Sequence, residues 1–332
     1  MKALLCTHYG PPEEMELKDV PSPKPGKNQV LIGVKACGVN FPDVLMIQDK
    51  YQFRPTIPFA PGGEIAGLIK ELGEGVENLK VGDRVCVSVG NAGFAEEALA
   101  DARRCIKIPS SVDIAVASSF IVTYGTSYHA LKDRAKLKSG ETLVVLGAAG
   151  GVGLSAVEIG AAMGAKVIAG ASTEEKVALA KKHGAVDGFV YPPLPLSRDQ
   201  QKALSETIKS KTGGQGADVL YDPIGDQYAE PALRAMNWEG RYLVIGFAAG
   251  EIPRIPLNLT LLKGCDVLGV FWGASTARDP KRAQASLEEL MKWIADGKVH
   301  PHVSAKFPLA EGGKAIRMLM DRKAHGKVVV TM

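Results

Sequence analysis

The chain has 332 residues, about twice a typical domain length, so two domains are expected. Hydrophobic residues make up 46% of it and charged residues 23%, which is ordinary for a globular protein with a sizeable core. A net charge of +4 is too small to indicate binding to nucleic acid or to a membrane surface. We see no apolar run long enough to span a membrane and no signal-peptide pattern, and therefore expect a cytoplasmic protein.

The five cysteines are scattered along the chain, and none is spaced as Cys-x-x-Cys. An odd number of dispersed cysteines argues against a disulfide framework and against a zinc knuckle. We expect most of them to be buried as small hydrophobic residues.

The first 120 residues predict a β-rich domain. Short alternating stretches at 29–35, 67–72 and 83–89 are separated by clusters of proline and glycine. This spacing is typical of a small, irregular β-barrel.

After about residue 120, helices and strands alternate, which predicts a doubly wound parallel sheet and an α/β fold class. The predicted strands lie at 142–146, 166–170, 187–190, 217–221, 240–246 and 266–271. The predicted helices lie at 111–134, 152–164, 173–183, 199–212 and 226–236. A last helix at 280–297 and strands near 303–307 and 326–330 are too little for a third domain, so we expect them to complete the first one.

The run from Leu143 to Gly153 is the most informative feature, because it predicts a buried strand, a glycine-rich turn and a helix start. Gly150, Gly151 and Gly153 remove side chains from the turn, so the backbone around Val152 and the positive end of the helix can approach a pyrophosphate. A plain helix-start turn would have similar glycines. The strand at 166–170 supplies the βαβ context that favours the dinucleotide-binding interpretation.

The end of that second strand predicts which dinucleotide is bound. Folds that prefer NAD usually place Asp or Glu there to accept from the ribose 2′-hydroxyl. This chain has Gly170-Ala-Ser-Thr173 instead, and Ser172 and Lys176 are placed to hold a 2′-phosphate. We therefore predict NADPH as the cofactor, with a merely solvated Lys176 as the alternative.

Six motifs, in order along the whole chain, resemble the zinc-free quinone oxidoreductase (zeta-crystallin-like) branch of the medium-chain dehydrogenase/reductase superfamily. They are Gly38–Asp43, Gly62–Gly67, Val81–Val85, Thr123–Leu131, Ala148–Gly153, and Asp321-Arg322 with Gly326–Val329. The resemblance implies a GroES-like β-barrel domain at 1–122 and 274–332, a Rossmann domain at 123–273 and an active-site cleft at their junction. It also implies an NADPH-dependent reductase whose small-molecule substrate is a quinone or another conjugated carbonyl.

The resemblance implies further cofactor contacts. Thr126 matches a cofactor-contacting threonine, while Tyr191 and Arg322 match the remaining phosphate contacts of the family. Gly246-Phe247 and Phe271 follow predicted strands at the ligand-binding edge, so we expect them near the nicotinamide. The alternative is aromatic packing between the domains for Phe271 and a strand-end aromatic for Tyr191. For Arg322 it is a surface salt bridge, and for Thr126 it is capping or packing of its helix.

Asn40 and Gly63 match the zinc-ligand positions of the zinc-dependent alcohol dehydrogenases. Neither is a usual zinc ligand, so we predict no metal. Asn40 is expected instead to orient the substrate or the nicotinamide ribose. Tyr51 matches a tyrosine that lines the cleft and is the candidate proton donor, although a loop aromatic that only covers the cleft fits equally well.

Two other functions stay open. An enoyl-thioester or alkenal reductase on the same scaffold would need a tunnel or a basic patch, for which Lys50 and Arg54 are the candidates. A cofactor-binding structural or RNA-binding protein is the non-enzymatic alternative, and the absence of a basic stripe argues against nucleic acid. The apolar run 265–271 is predicted to be the last strand of its sheet, so we expect it to pair with a second copy in a homodimer.

Overall fold

A computed structural model describes residues 1–332. The chain forms two compact units: unit 1 comprises Met1–Thr123 and Lys281–Met332, and unit 2 comprises Tyr124–Pro280. In this division residues 274–280, which were expected in the first domain, lie with unit 2. None of the helices has the length and apolar character needed to cross a lipid bilayer.

The N-terminal part of unit 1 is mostly β-strands. Its strands are β1 Lys2–Leu5, β2 Glu16–Asp19, β3 Gln29–Val39, β4 Glu64–Leu72, β5 Arg84–Ser88, β6 Glu97–Asp101 and β7 Ile106–Lys107, and its helices are α1 Phe41–Met46 and α2 Ile114–Ala117.

Helix α3, Ile121–Tyr128, leads into unit 2 and continues as a π-helical stretch, His129–Arg134. The elements that follow are β8 Thr142–Val145, α4 Gly151–Ala162, β9 Lys166–Ala171, α5 Glu174–Lys182, β10 Asp187–Val190, α6 Arg198–Lys211, β11 Ala217–Asp222, α7 Ala229–Arg234, β12 Met236–Val244, α8 Asn258–Lys263, β13 Asp266–Gly269 and α9 Trp272–Arg278. The chain then returns to unit 1 through α10 Pro280–Ala295, β14 Val303–Pro308, α11 Gly312–Met320 and β15 Lys327–Thr331.

The main sheet of unit 1 has the strand order β14-β15-β3-β4-β5-β7, and β6 also pairs with β3. Strand β15 is antiparallel to β3, with Val328 opposite Val39. The last strands of the chain therefore belong to the first sheet, and this pairing brings residue 327 beside the residues that follow β3.

The sheet of unit 2 has the order β10-β9-β8-β11-β12-β13, and all of its strands are parallel. The middle strand β8 is fully buried from Leu143 to Val145, as expected for a strand covered on both faces. The chain order reverses between β8 and β11, which is where ligands bind in such sheets. The predicted fold class, a barrel-type unit with a doubly wound parallel sheet, is confirmed.

Several predicted bounds are wrong. The helix expected at 111–134 is interrupted after α2, because the Ser118 hydroxyl donates to the Ala115 carbonyl (2.8 Å) and the Ser118 carbonyl accepts the N–H of Gly38 (3.0 Å). The helix expected at 226–236 ends at Arg234, since residue 236 already pairs with Ala217 in the sheet.

All five cysteines are free and buried: Cys6, Cys37, Cys86, Cys105 and Cys265. Burial raises the pKa of each thiol, to about 12 for Cys105. The expectation that most of the thiols act as small hydrophobic residues is confirmed for all of them.

Candidate functional site

The glycine-rich turn lies between β8 and α4, at the reversal point of the sheet. A methyl group on Gly153 would lie 2.0 Å from the carbonyl oxygen of Gly147, whereas one on Gly150 would lie 3.4 Å from the same atom. Position 153 therefore requires glycine for the first turn of α4 to pack against the strand end. The N–H groups of residues 151–153 have no carbonyl one turn earlier to bond, which leaves donors for an anion.

The end of β9 lies beside this turn, since the N–H of Ala148 donates to the carbonyl of Gly170 (3.0 Å). Here Lys176 Nζ donates to Ser172 Oγ (3.1 Å); Ser172 is exposed and Lys176 is half-buried. The Thr173 hydroxyl caps α5 by accepting the N–H of Lys176 (3.3 Å). The structure thus brings a cation and a hydroxyl together next to the helix end, a combination that suits a phosphate dianion.

Tyr191 follows β10, and its N–H donates to the carbonyl of Ala171 at the end of β9 (3.0 Å). Its side chain is buried, with the ring centroid 4.8 Å from that of Tyr228. Tyr191 therefore lies at the same sheet edge as Ser172, and its ring packs inside unit 2.

The residues expected near the nicotinamide follow β12 and β13. Gly246 and Phe247 follow β12 after one intervening residue, and the partly exposed Phe247 ring packs against Gly225. Phe271 follows β13 and is 63% exposed, so it has surface available to a ligand.

The remaining two predicted contacts lie apart from these loops in the chain. Thr126 is half-buried on α3 in unit 2. Arg322 belongs to unit 1, where it follows α11 with a φ of 56°.

Unit 1 contains a buried ion cluster, which we define as Asn40, Asp43, Glu64 and Lys327. Lys327 Nζ donates to Glu64 Oε1 (2.9 Å), to Asn40 Oδ1 (2.6 Å) and to the Val39 carbonyl (3.0 Å). Asn40 Nδ2 donates to Glu64 Oε1 (2.8 Å). Both ends of the Asn40 amide therefore have charged partners, which favours a structural role for this side chain. That Asn40 orients the substrate or the nicotinamide ribose stays a prediction.

Asp43 is the fourth member of the cluster and is almost completely buried. Its carboxylate accepts the N–H groups of Asn40 (2.8 Å) and Gly62 (2.9 Å), which ties the start of α1 to the turn before β4. Burial raises the pKa of Asp43 from 3.8 to about 6, against the lowering effect of the two N–H donors and of Lys327. These are the contacts of a structural acceptor.

Tyr51 lies in the loop after α1 and is half-buried. Burial raises the pKa of its phenol, and the charge of Asp43 raises it further, so the side chain holds its proton at neutral pH. The two nearby cations have their own partners: Arg54 Nε lies 3.1 Å from Asp49 Oδ1, and Lys50 Nζ donates to Gln48 Oε1 (3.0 Å).

Comparison with known proteins identifies the family. Residues 26–110 match the alcohol dehydrogenase GroES-like domain, and residues 151–296 match the zinc-binding dehydrogenase family. A quinone oxidoreductase-like protein 2 homolog from Nematostella vectensis is 37% identical, over 99% of this chain and 88% of that relative. The chain belongs to the quinone oxidoreductase branch of the medium-chain dehydrogenase/reductase superfamily. It is an oxidoreductase, as its motifs predicted.

Two solved structures of quinone oxidoreductases are similar to this chain over its whole length. The Escherichia coli quinone oxidoreductase, solved in complex with NADPH, has a TM-score of 0.90 and 26% identity over 100% of both chains. The quinone oxidoreductase of Thermus thermophilus, also solved with NADPH, has a TM-score of 0.84 and 32% identity over 100% of both chains.

The zinc implied by the name of one matching family does not fit the residues of this oxidoreductase. Gly63 has no side chain to offer, and the Asn40 amide is bonded to Lys327 and Glu64. The Lys327 ammonium already lies against the oxygens of Asn40 and Glu64 that would face a metal cation. We find no group of three or more His, Cys, Asp or Glu side chains arranged to hold a metal ion.

Sequence reasoning missed Glu64 and Lys327 as members of a site, although both lie in motifs that carried the family resemblance. The available signal was a charged residue at the start of an apolar run. Lys327 begins the run Lys-Val-Val-Val, and Glu64 begins Glu-Ile-Ala-Gly. Both side chains are buried in the structure, and because a buried charge needs a partner, each is the partner of the other.

Proposed function

We propose that this oxidoreductase uses NADPH to reduce quinones or other conjugated carbonyls. The observation that carries the proposal is the Lys176–Ser172 pair at the end of β9, beside the glycine turn and with no carboxylate at the strand end. A carboxylate there would bond the ribose of NADH and repel a 2′-phosphate. The E. coli and T. thermophilus neighbours, both solved with NADPH, support the same choice.

The proposal assigns each group of residues a role in binding NADPH or in the reduction. The N–H groups of residues 151–153 would hold the pyrophosphate, and Lys176 and Ser172 would hold the 2′-phosphate. Phe247 and Phe271 would shield the reacting end from water. NADPH, when bound, supplies a hydride to the electron-poor substrate. The oxyanion of the reduced product would take its proton from water, and Tyr51, which retains its own proton, is the one candidate side-chain donor.

The cofactor proposal is tested with Lys176→Ala. The variant removes a 2′-phosphate contact that NADH lacks, so we expect the KM for NADPH to rise about tenfold while the KM for NADH is unchanged. Lys182→Ala, an exposed cation at the other end of α5, is the matched control. Equal weakening of both cofactors by Lys176→Ala would contradict a phosphate-binding role.

The acceptor is tested with a panel of a quinone, a simple enone, an alkenal and an enoyl-CoA, each with NADPH. We expect the quinone or the enone to give the highest kcat/KM. The basic patch that the enoyl-thioester alternative needs would be small, because Arg54 lies beside the carboxylate of Asp49 and Lys50 bonds the neutral amide of Gln48. A wild-type protein that reduces enoyl-CoA far better than any quinone would overturn the proposed substrate class.

We also propose a homodimer through β13. This strand is at the sheet edge, and Val267 on it is 42% exposed. Leu257, Leu261 and Leu262 beside and on α8 are 79%, 77% and 66% exposed, an apolar surface that a second copy would cover.

Light scattering at micromolar concentration should give the mass of a dimer, and Val267→Asp should shift it to that of a monomer. Val186→Asp, at a 63% exposed valine before β10, is the control that should stay dimeric. A wild-type protein that is monomeric under these conditions would contradict the proposal.

A further inference from the structure

Three buried hydroxyl groups connect α3, α4 and β11 beside the first turn of α4, the helix that follows the glycine-rich turn. Ser127 Oγ lies 2.8 Å from both Ser155 Oγ and Tyr221 Oη. The two serine hydroxyls lie 3.0 and 2.9 Å from the carbonyl oxygen of Val152. One arrangement of protons satisfies every group: Tyr221 donates to Ser127, Ser127 to Ser155, and Ser155 to the Val152 carbonyl. All three side chains are fully buried.

A second contact between α3 and α4 lies further along α4 and nearer the start of α3. Tyr124 Oη donates to Glu158 Oε2 (2.7 Å), and both side chains are buried. Residue 124 thus meets residue 158 while residue 127 meets residues 152 and 155, so the two helices run antiparallel. Two contacts at different heights fix both the position of α4 along its axis and its rotation, and with them the N–H groups of its first turn.

Gly125, one of the two residues between these contacts, lies under the ring of Trp272. A methyl group on Gly125 would be 2.7 Å from Cζ2 and 2.9 Å from Cε2 of the indole. The π-helical continuation of α3 holds the same loop, because Arg134 Nε donates to the Gly269 carbonyl (3.1 Å). The absence of a side chain at 125 therefore lets the loop that carries Phe271 rest on α3.

We infer that the segment Tyr124–Ser127 of α3 positions both ends of the dinucleotide site. Its hydroxyl groups hold the phosphate-binding turn of α4, and its glycine seats Trp272 and so places the exposed Phe271. Tyr124, Gly125 and Ser127 are positioning residues, since none of them is required to touch the cofactor, whereas Thr126 remains the predicted cofactor contact of this segment. The inference rests on the proposed NADPH binding.

The first test measures equilibrium binding in the absence of substrate. Titrations use NADPH and 2′-phospho-ADP-ribose, which is the same molecule without the nicotinamide. Ser127→Ala should raise the Kd of both ligands by about tenfold, because the displaced α4 turn binds the pyrophosphate that they share. Tyr221→Phe, which keeps the ring, should act in the same direction. Ser205→Ala, at a buried serine on α6, should change neither Kd.

The second test separates the nicotinamide end from the phosphate end. Gly125→Ala should raise the Kd of NADPH about fivefold and leave that of 2′-phospho-ADP-ribose unchanged. Adding Trp272→Phe should restore the NADPH affinity of Gly125→Ala, because a phenyl ring lacks the atoms that the new methyl would meet. Trp293→Phe, on α10 of unit 1, is the control substitution and should restore nothing.

A third readout needs no ligand. With Trp238 and Trp293 replaced by Phe, Trp272 is the only tryptophan, and its emission should shift to longer wavelength on Gly125→Ala. Unchanged emission would overturn the inference. A Gly125→Ala variant that weakens NADPH and 2′-phospho-ADP-ribose equally, as Ser127→Ala is expected to do, would also overturn it. Neither result would contradict the proposal that the protein binds NADPH. A wild-type protein that binds neither ligand would overturn the proposed function and this inference with it.

Discussion

The ion cluster of unit 1 and the glycine turn of unit 2 use polar groups in opposite ways. In the cluster, Lys327 and Glu64 are buried and bonded to each other and to Asn40, so their charges are neutralised internally. In the turn, side chains are absent, and the unpaired donors are backbone N–H groups at a helix end. We therefore expect substitutions in the cluster to act mainly on stability and substitutions in the turn to act mainly on ligand affinity.

We expect the largest effect from a substitution that breaks the ion cluster. Lys327→Met leaves the Glu64 carboxylate buried without its cation, so the free energy of unfolding should fall by about 3–5 kcal/mol. Urea unfolding measures it. The control is Lys292→Met, which breaks an exposed pair with Asp296 and should cost less than about 1 kcal/mol. Equal losses in the two variants would mean that burial adds nothing to the Lys327 pair.

The next effect concerns Asp43 and pH. Its pKa of about 6 in the folded protein lies above its ordinary 3.8, so the folded state holds this proton more tightly than the unfolded chain. The resulting stabilisation is complete below pH 3.8 and is lost as the pH rises through about 6, a change of about 3 kcal/mol.

Asp43→Asn should remove this dependence, although it also weakens one of the two backbone contacts at all pH values. Urea unfolding of both proteins between about pH 4 and 7 should therefore show the stability advantage of the wild type shrinking as the pH rises. A constant difference across this range would contradict titration of Asp43.

The third prediction concerns substitutions in the glycine-rich turn. Gly153→Ala places a methyl group 2.0 Å from the Gly147 carbonyl, so the α4 end must move, and the Kd for NADPH should rise about a hundredfold. Gly150→Ala, with 3.4 Å to the same atom, should have a much smaller effect. We expect Gly153→Ala to change NADPH binding far more than it changes the free energy of unfolding. Lys327→Met should show the reverse, with a large change in the free energy of unfolding and a small change in NADPH binding.

The smallest effect is expected at Tyr51, which borders the cluster without belonging to it. Tyr51→Phe should leave quinone turnover within about tenfold of wild type, since the oxyanion of a reduced quinone can take its proton from water. A general acid typically contributes ~10²–10⁴-fold. A hundredfold loss with normal NADPH binding would make Tyr51 the acid and would favour the enoyl-type substrate.

Local patterns were predictable from the sequence, and long-range pairings were not. The Lys176–Ser172 pair could be expected because both residues lie within one turn after a strand whose end is marked by the glycine pattern. The Lys327–Glu64 pair joins residues far apart in the chain, and only the docking of β15 on β3 brings them together. The helix expected at 111–134 was wrong because the Ser118 carbonyl bonds Gly38, a contact that no local pattern contains.

The buried cysteines have a consequence for an enzyme of this class. Quinones and enones are electrophiles that alkylate thiolates, and only the ionised, accessible thiol reacts quickly. In this chain every thiol is buried and has a raised pKa, so thiolate is scarce and out of reach. We therefore expect quinones and enones to inactivate the folded protein only slowly at its own cysteines.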